Sequence, residues 1–171
     1  MSSRIPTDLM MSRNDLVKAN ESSRWSIELE KITMYATDMD YELRGNDGNI
    51  LGIEYTVQID LESTKQNSVS EVRLRLIIPE DYPNSMPRIY PVDMHMPFDH
   101  KAHLYRDRKN RTHLCIMKQE DWTTDCTLAG MMVLSSFWVH KYIVWKNTGT
   151  WPGRSRHHCP RCGKIGGCEH N

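Results

Sequence analysis

The stretch Ile53-Glu54-Tyr55-Thr56-Val57-Gln58-Ile59-Asp60-Leu61 alternates apolar and polar residues without a break. Successive side chains of an extended backbone point to opposite sides, so a period of two sets one face on a core and the other in water. A half-buried strand is therefore predicted. Val72, Leu74, Leu76 and Ile78 alternate in the same way against Arg73 and Arg75, and the polar run from Glu62 to Ser68 between them reads as a hairpin loop. Upstream, Gly45-Asn46-Asp47-Gly48 is a turn signal, because glycine and asparagine tolerate the positive backbone angles of tight turns. A β region is expected to begin there and continue as an antiparallel meander.

Working outward, Trp25, Ile27, Leu29, Ile32 and Tyr35 are interleaved with charges between Arg24 and Tyr35, with Ser22 and Ser23 placed to cap the start. An amphipathic N-terminal helix is predicted. Pro79, Pro83, Pro87 and Pro91 recur at every fourth position. Proline lacks the amide hydrogen that ladders and helix interiors require, so a rigid extended turn leading into an edge strand is expected. From Phe98 to Thr112 the chain is polar, basic and aperiodic, which reads as a long irregular loop ending at His113-Leu114-Cys115. Loops of that size in compact domains are usually functional. Leu128, Met131, Met132, Trp138, Val139, Tyr142 and Ile143 keep helical spacing, with Thr127 or Asp125 available as the cap and Gly149 and Pro152 as the stop. The order helix, antiparallel strands, loop, helix and cysteine-rich tail is an α+β plan.

Length allows one ordinary domain with a small appendage, 171 residues in all, divided here at 1–150 and 151–171. Lysine plus arginine and aspartate plus glutamate number 22 each, so the whole chain lacks the positive field that draws proteins to nucleic acid or acidic membrane. No apolar run reaches membrane-spanning length, and Met1 to Asn20 holds no apolar block of the signal-peptide kind. A soluble cytoplasmic protein is expected. Five cysteines, three of them within the last thirteen residues, suit thiols used for chemistry or metal in a reducing compartment better than a disulfide scaffold. There is no internal repeat and no low-complexity tract.

Cys115 ends a loop carrying Lys101, Arg106, Arg108, Lys109, Arg111 and the histidines His100, His103 and His113. Exposure and neighbouring positive charge favour the nucleophilic thiolate, whereas apolar packing leaves a cysteine inert. The surrounding sequence is electropositive. The competing reading takes Leu114-Cys115-Ile116-Met117 as a short buried strand with a small core thiol.

Taken together, the Pro79 to Pro87 turn, Phe98, His103-Leu104-Tyr105, Leu114-Cys115-Ile116, Trp122-Thr123-Thr124 and the helix from Thr127 resemble the catalytic domain of ubiquitin-conjugating enzymes, over about Ile53 to Trp145. Trp151-Pro152-Gly153 and a histidine ahead of the cysteine are similar to the bacterial branch of that family, found in anti-phage operons beside nucleotidyltransferases that make cyclic oligonucleotides. The resemblance implies a ubiquitin-conjugating-like catalytic domain over 1–150, with Cys115 as a thioester-forming nucleophile and His103 as a catalytic residue. Lys101-Ala102-His103 stands where the family has His-Pro-Asn, so either His103 or His113 takes the oxyanion-stabilising role of the missing asparagine. Asp121 and Asp125 fall where family members position and deprotonate the incoming lysine amine; the alternative for each is a capping or solvated acid. Trp122 reads as a packing residue that shapes the cleft. Implied partners are a separate activating enzyme or acyl-donor protein and a target such as the cyclic-oligonucleotide nucleotidyltransferase.

In the tail, Cys159, Cys162, Cys168 and His170 supply three thiolates and an imidazole, the ligand types of a tetrahedral structural zinc, and Gly163 completes the C-x-x-C-G knuckle turn. A redox-active C-x-x-C and a metal-free tail are the competing readings. No glycine-rich phosphate loop occurs, and no organic cofactor is expected. Two further functions compete with the transferase. One is a non-catalytic module of the same fold that binds a peptide or ubiquitin-like tail; such variants generally lack the cysteine. The other is a zinc protein for nucleic acid, which the neutral charge and scarce loop aromatics oppose.

Overall fold

A computed structural model describes residues 24–46, 49–59 and 71–153. Helix α1 (Arg24–Tyr35) is followed by strands β1 (Tyr41–Asn46), β2 (Asn49–Gln58), β3 (Glu71–Ile77) and β4 (Arg88–Pro91), then β5 (Leu104–Arg106), β6 (Thr112–Leu114) and helix α2 (Leu128–Thr148). One antiparallel sheet holds all six strands in the order β1-β2-β3-β4-β6-β5. The N-terminal helix, meander, loop and C-terminal helix are the α+β arrangement expected from the sequence.

The period-two pattern sets the sheet's two faces. Ile53, Tyr55, Val57, Val72, Leu74, Leu76 and Ile89 are buried on the face that packs against α2. At that interface the Tyr55 hydroxyl and Ser135 Oγ share a hydrogen bond of 2.6 Å, which satisfies two buried polar groups at once. On the other face Glu54 accepts from Arg75 Nε at 2.7 Å and from Arg44 at 3.1 Å. The hydrogen bond from Arg75, opposing the effect of burial, holds its carboxyl below the ordinary range. At Gly52 the backbone of β3 leaves no room for a side chain: a Cβ there would lie 2.6 Å from the Leu76 carbonyl oxygen.

Helix α2 begins at Thr127, whose side chain accepts from the Gly130 amide, and ends at Gly149 in the left-handed conformation at φ 69°. Asp125 is not its cap. Helix α1 is joined to the start of α2 through Glu28, which is fully buried. Glu28 accepts from Arg24 Nε at 2.6 Å, from the Leu128 amide at 2.8 Å and from the Tyr82 hydroxyl. Arg24 goes on to the carbonyls of Thr124 and Cys126 at 2.8 and 2.6 Å.

Three expectations need correction. The β region starts before the Gly45 turn: Tyr41–Asn46 pairs with β2 along its length, with Tyr41 and Leu43 alternating there with Glu42 and Arg44. Strand β4 is internal rather than an edge: β3 lies on one side and Leu114 of β6 pairs with Ile89 on the other. Pro91 stands at its last position, and Ile89 alone makes the β6 pairing, so no proline interrupts a ladder. The segment from Phe98 to Thr112 is also ordered, as a short 3-10 turn (His100–Ala102) and the β5–β6 hairpin. The Glu62 to Ser68 loop lies outside the described residues.

Candidate active site

The β5–β6 hairpin places Cys115 at the end of β6. Its register pairs Leu104 with Leu114, Tyr105 with His113 and Arg106 with Thr112. Asp107 closes the hairpin by accepting from the amides of Lys109 and Arg111, each at 2.9 Å, and from Arg111 Nε at 2.9 Å. The Tyr90 hydroxyl donates to it from β4, also at 2.9 Å. Burial works to raise the Asp107 carboxyl, and these donors override it and hold the group well below the carboxylate range. The polar loop is thus a carboxylate-pinned turn.

Past the hairpin, Leu114, Ile116 and Met117 are buried while Cys115 between them is partly exposed. The Cys115 amide donates to the His103 carbonyl at 2.9 Å, and its Sγ lies 4.0 Å from the Met117 carbonyl oxygen. Burial pushes the thiol above its ordinary value, opposed by the positive charge of Lys118. Two of the loop's basic side chains are engaged elsewhere: Arg106 sits over Phe98 and bonds Asn110, and Arg111 sits over Tyr90 and bonds Asp107. Lys118, not the loop arginines, is the cation that acts on the sulfur. Cys126 differs: it is buried, and Sγ accepts from the Thr123 amide at 3.5 Å.

The two candidate histidines are held differently. His103 follows the 3-10 turn in the left-handed conformation, φ 55° and ψ 40°, unusual for a residue with a Cβ. Its ring lies against Trp151, centroids 4.6 Å apart, and Trp151 in turn meets Trp138 of α2 at 5.8 Å. His113 stands between two tyrosine rings, Tyr90 at 5.9 Å and Tyr105 at 6.4 Å. Its Nδ1 is 3.4 Å from the Leu114 carbonyl oxygen. Burial lowers its pKa below the ordinary imidazole value, which keeps the ring neutral at pH 7.

Asp121 ends the 3-10 turn Gln119–Asp121, and both it and Asp125 are partly exposed. Trp122 is buried, with Nε1–H donating to the Pro83 carbonyl at 2.8 Å. Two neighbours of the sulfur were given no role from the sequence. Lys118 is one, and Tyr105 is the other: its hydroxyl is pushed up by burial and by the negative charge that Cys115 would carry. Spacing gave a signal for both, Lys118 three residues after the cysteine and Tyr105 two after His103.

Cys115 lines neither of the larger hollows of the described surface, about 610 Å³ bounded by Arg44, Leu51 and Arg73 and about 550 Å³ bounded by Tyr90, Met94 and Arg111. Among the described residues no cluster of histidine, cysteine and acids could hold a metal, and no helix is long and apolar enough to cross a membrane. Cys159, Cys162, Cys168 and His170 lie outside the described residues.

No curated protein matches the chain. A ubiquitin-conjugating enzyme E2 from Plasmodium falciparum is similar in structure at a TM-score of 0.48 and 14% identity, over 70% of this chain and 97% of that one. The family model described as type II CBASS E2 protein matches residues 35–158, a span that runs from the end of α1 through the hairpin, Cys115, α2 and Trp151. With that match covering well over half of its length, the chain belongs to the type II CBASS E2 protein family.

Proposed function

We propose that the protein carries a ubiquitin-like or other protein C-terminus as a thioester on Cys115 and transfers it to a lysine amine. Membership of the family makes it an E2-like protein of anti-phage defence with a ubiquitin-conjugating-like role. The observation that supports the finer reading is the exposure of Cys115 between buried neighbours, on a backbone tied to His103, while Cys126 is sealed in the core.

In the first step the Cys115 sulfur attacks an activated carbonyl carbon; the S–C bond forms, the donor's leaving group departs and the thiol proton goes to a base or solvent. Because burial keeps this thiol largely protonated at neutral pH, it is a restrained nucleophile that responds to an activated donor rather than to any ester. A separate activating enzyme supplies that donor. In the second step a lysine nitrogen attacks the thioester carbonyl, the N–C bond forms and the C–S bond breaks. We assign the oxyanion donor to His103, because His113 is committed between Tyr90 and Tyr105 with Nδ1 toward Leu114. One well-placed donor is worth about 3 kcal/mol in such reactions. Asp121 and Asp125 serve the incoming amine. The target class is a protein of the same defence system, such as a cyclic-oligonucleotide nucleotidyltransferase.

Incubation with the proteins encoded beside it and ATP should give a larger species on a non-reducing gel, released by thiols and absent in Cys115→Ala. An unchanged species in Cys115→Ala would refute the thioester, and its absence in the wild type with every neighbour supplied would favour a binding module. For the tail we propose one structural zinc held by Cys159, Cys162, Cys168 and His170, a closed four-ligand set with no role in the chemistry. Metal analysis should find about one zinc per chain, lost when Cys162 is replaced by alanine.

A further inference from the structure

The residues after α2 turn back to the reactive loop. Gly149 ends the helix in the left-handed conformation, and Trp151, two residues later, is partly buried against two rings at once. One is Trp138, a core residue of α2 that also stacks on Tyr142 with centroids 5.2 Å apart and planes 11° apart. The other is His103. Trp151 therefore bridges the rigid core and an imidazole whose backbone is held in a conformation that a residue with a Cβ adopts only where its surroundings enforce it.

The connection to the sulfur is short. The His103 carbonyl accepts the Cys115 amide, so the left-handed bend and the position of the cysteine backbone are fixed together. The 3-10 turn before the bend is capped by Asp99, whose side chain accepts from the Lys101 amide at 2.8 Å. That cap orders the backbone up to residue 102 but leaves the orientation of the His103 ring to whatever packs on it. An indole face at 4.6 Å restricts ring rotation and excludes water from one side.

We infer that Trp151 is a positioning residue for His103, fixing the imidazole of the residue whose carbonyl holds the Cys115 amide, and so making the segment after α2 part of the working site. This rests on the reading of His103 as a residue of the acyl-transfer site. The device resembles a buried second neighbour that locks a functional side chain in one rotamer. It also means that displacement of residues 150–153 would disturb Cys115 chemistry without any contact to the sulfur.

The test uses the full chain and needs no natural donor. p-Nitrophenyl acetate serves as the acyl donor: the Cys115 sulfur takes the acetyl group as a thioester, the C–O bond breaks and p-nitrophenolate leaves. Acetylation of Cys115 is followed by peptide mass spectrometry against pH, and the His103 ring Cε1–H resonance is followed by NMR. In Trp151→Ala the His103 resonance should move, and acetylation should slow by roughly the same tenfold to hundredfold as in His103→Ala, the range for a misplaced donor. The double variant should be no slower than either single one, and Trp151→Phe should recover most of the rate. An unmoved His103 resonance in Trp151→Ala, or a double variant slower by the product of the two single effects, would overturn the inference. If the resonance moves but neither variant changes the rate, Trp151 positions the ring as inferred and it is the catalytic reading of His103 that fails.

Discussion

Two polar groups, the Glu28 carboxylate and the Cys115 thiol, lie among apolar residues and are treated in opposite ways. Glu28 is fully buried and receives a guanidinium, a phenol and the first amide of α2. Cys115 is partly exposed, its sulfur has only a 4.0 Å approach to a carbonyl oxygen, and one lysine steadies its anion. A buried charge met by three donor groups is an anchor, since freeing any partner is costly. A half-open thiol with sparse partners is cheap to move and free to react. The difference separates what holds the fold from what the fold holds out to solvent.

The largest expected effect falls on the anchor. Glu28→Ala strands Arg24, the Tyr82 hydroxyl and the Leu128 amide together, and urea unfolding should show a loss of about 3 to 5 kcal/mol, whereas Cys115→Ala should leave the unfolding midpoint nearly unchanged. Equal losses would erase the contrast. Next, Thr127→Ala removes the cap bond to Gly130 and should cost about 1 kcal/mol, read from the same curves.

A smaller effect distinguishes the two sides by pH. Because the Cys115 thiol is raised above its ordinary 9.0, its acetylation rate should go on climbing past pH 9 rather than level off there. Lys118→Ala should slow that reaction at neutral pH by about twofold, the size expected of a half-exposed charge pair that Glu120 also shares. Smaller still is the response of His113. Its folded pKa is depressed, so the stability it contributes is present above pH 6.5 and declines as pH falls toward the folded value; NMR titration should place its midpoint below 6.5.

Much of the frame could be read before any coordinates. Alternation from Ile53 and from Val72 gave β2 and β3, and helical spacing gave both helices because each buries one face or more. Strand β1 escaped because its alternation, Tyr41 and Leu43 against Glu42 and Arg44, is only four residues long, and the strand is held by pairing with β2 rather than by a buried face. The β5–β6 hairpin escaped for a related reason: its strands are three residues long and its turn is held by Asp107, a polar device without an apolar signature. Glu28 gave no signal of its own, since its partners Tyr82 and Leu128 come from distant segments.

At the site, order along the chain made Cys115 a candidate nucleophile and left His103 and His113 as candidate partners. It could not show that Arg111 bonds Asp107 and Arg106 bonds Asn110, or that the charge of Lys118 is the one that acts on the sulfur. Nor could it bring Trp151 onto His103, because that contact depends on how the chain turns after Gly149.

The central claim is that one half-open sulfur carries the acyl group. Replacing it by a hydroxyl turns a labile thioester into a persistent oxygen ester, so Cys115→Ser, incubated with its activating and donor proteins, is the most direct probe. A conjugate that survives thiol reductant and maps by mass spectrometry to position 115 is the expected result. A conjugate mapped to any other residue, or normal transfer by Cys115→Ala, would contradict it.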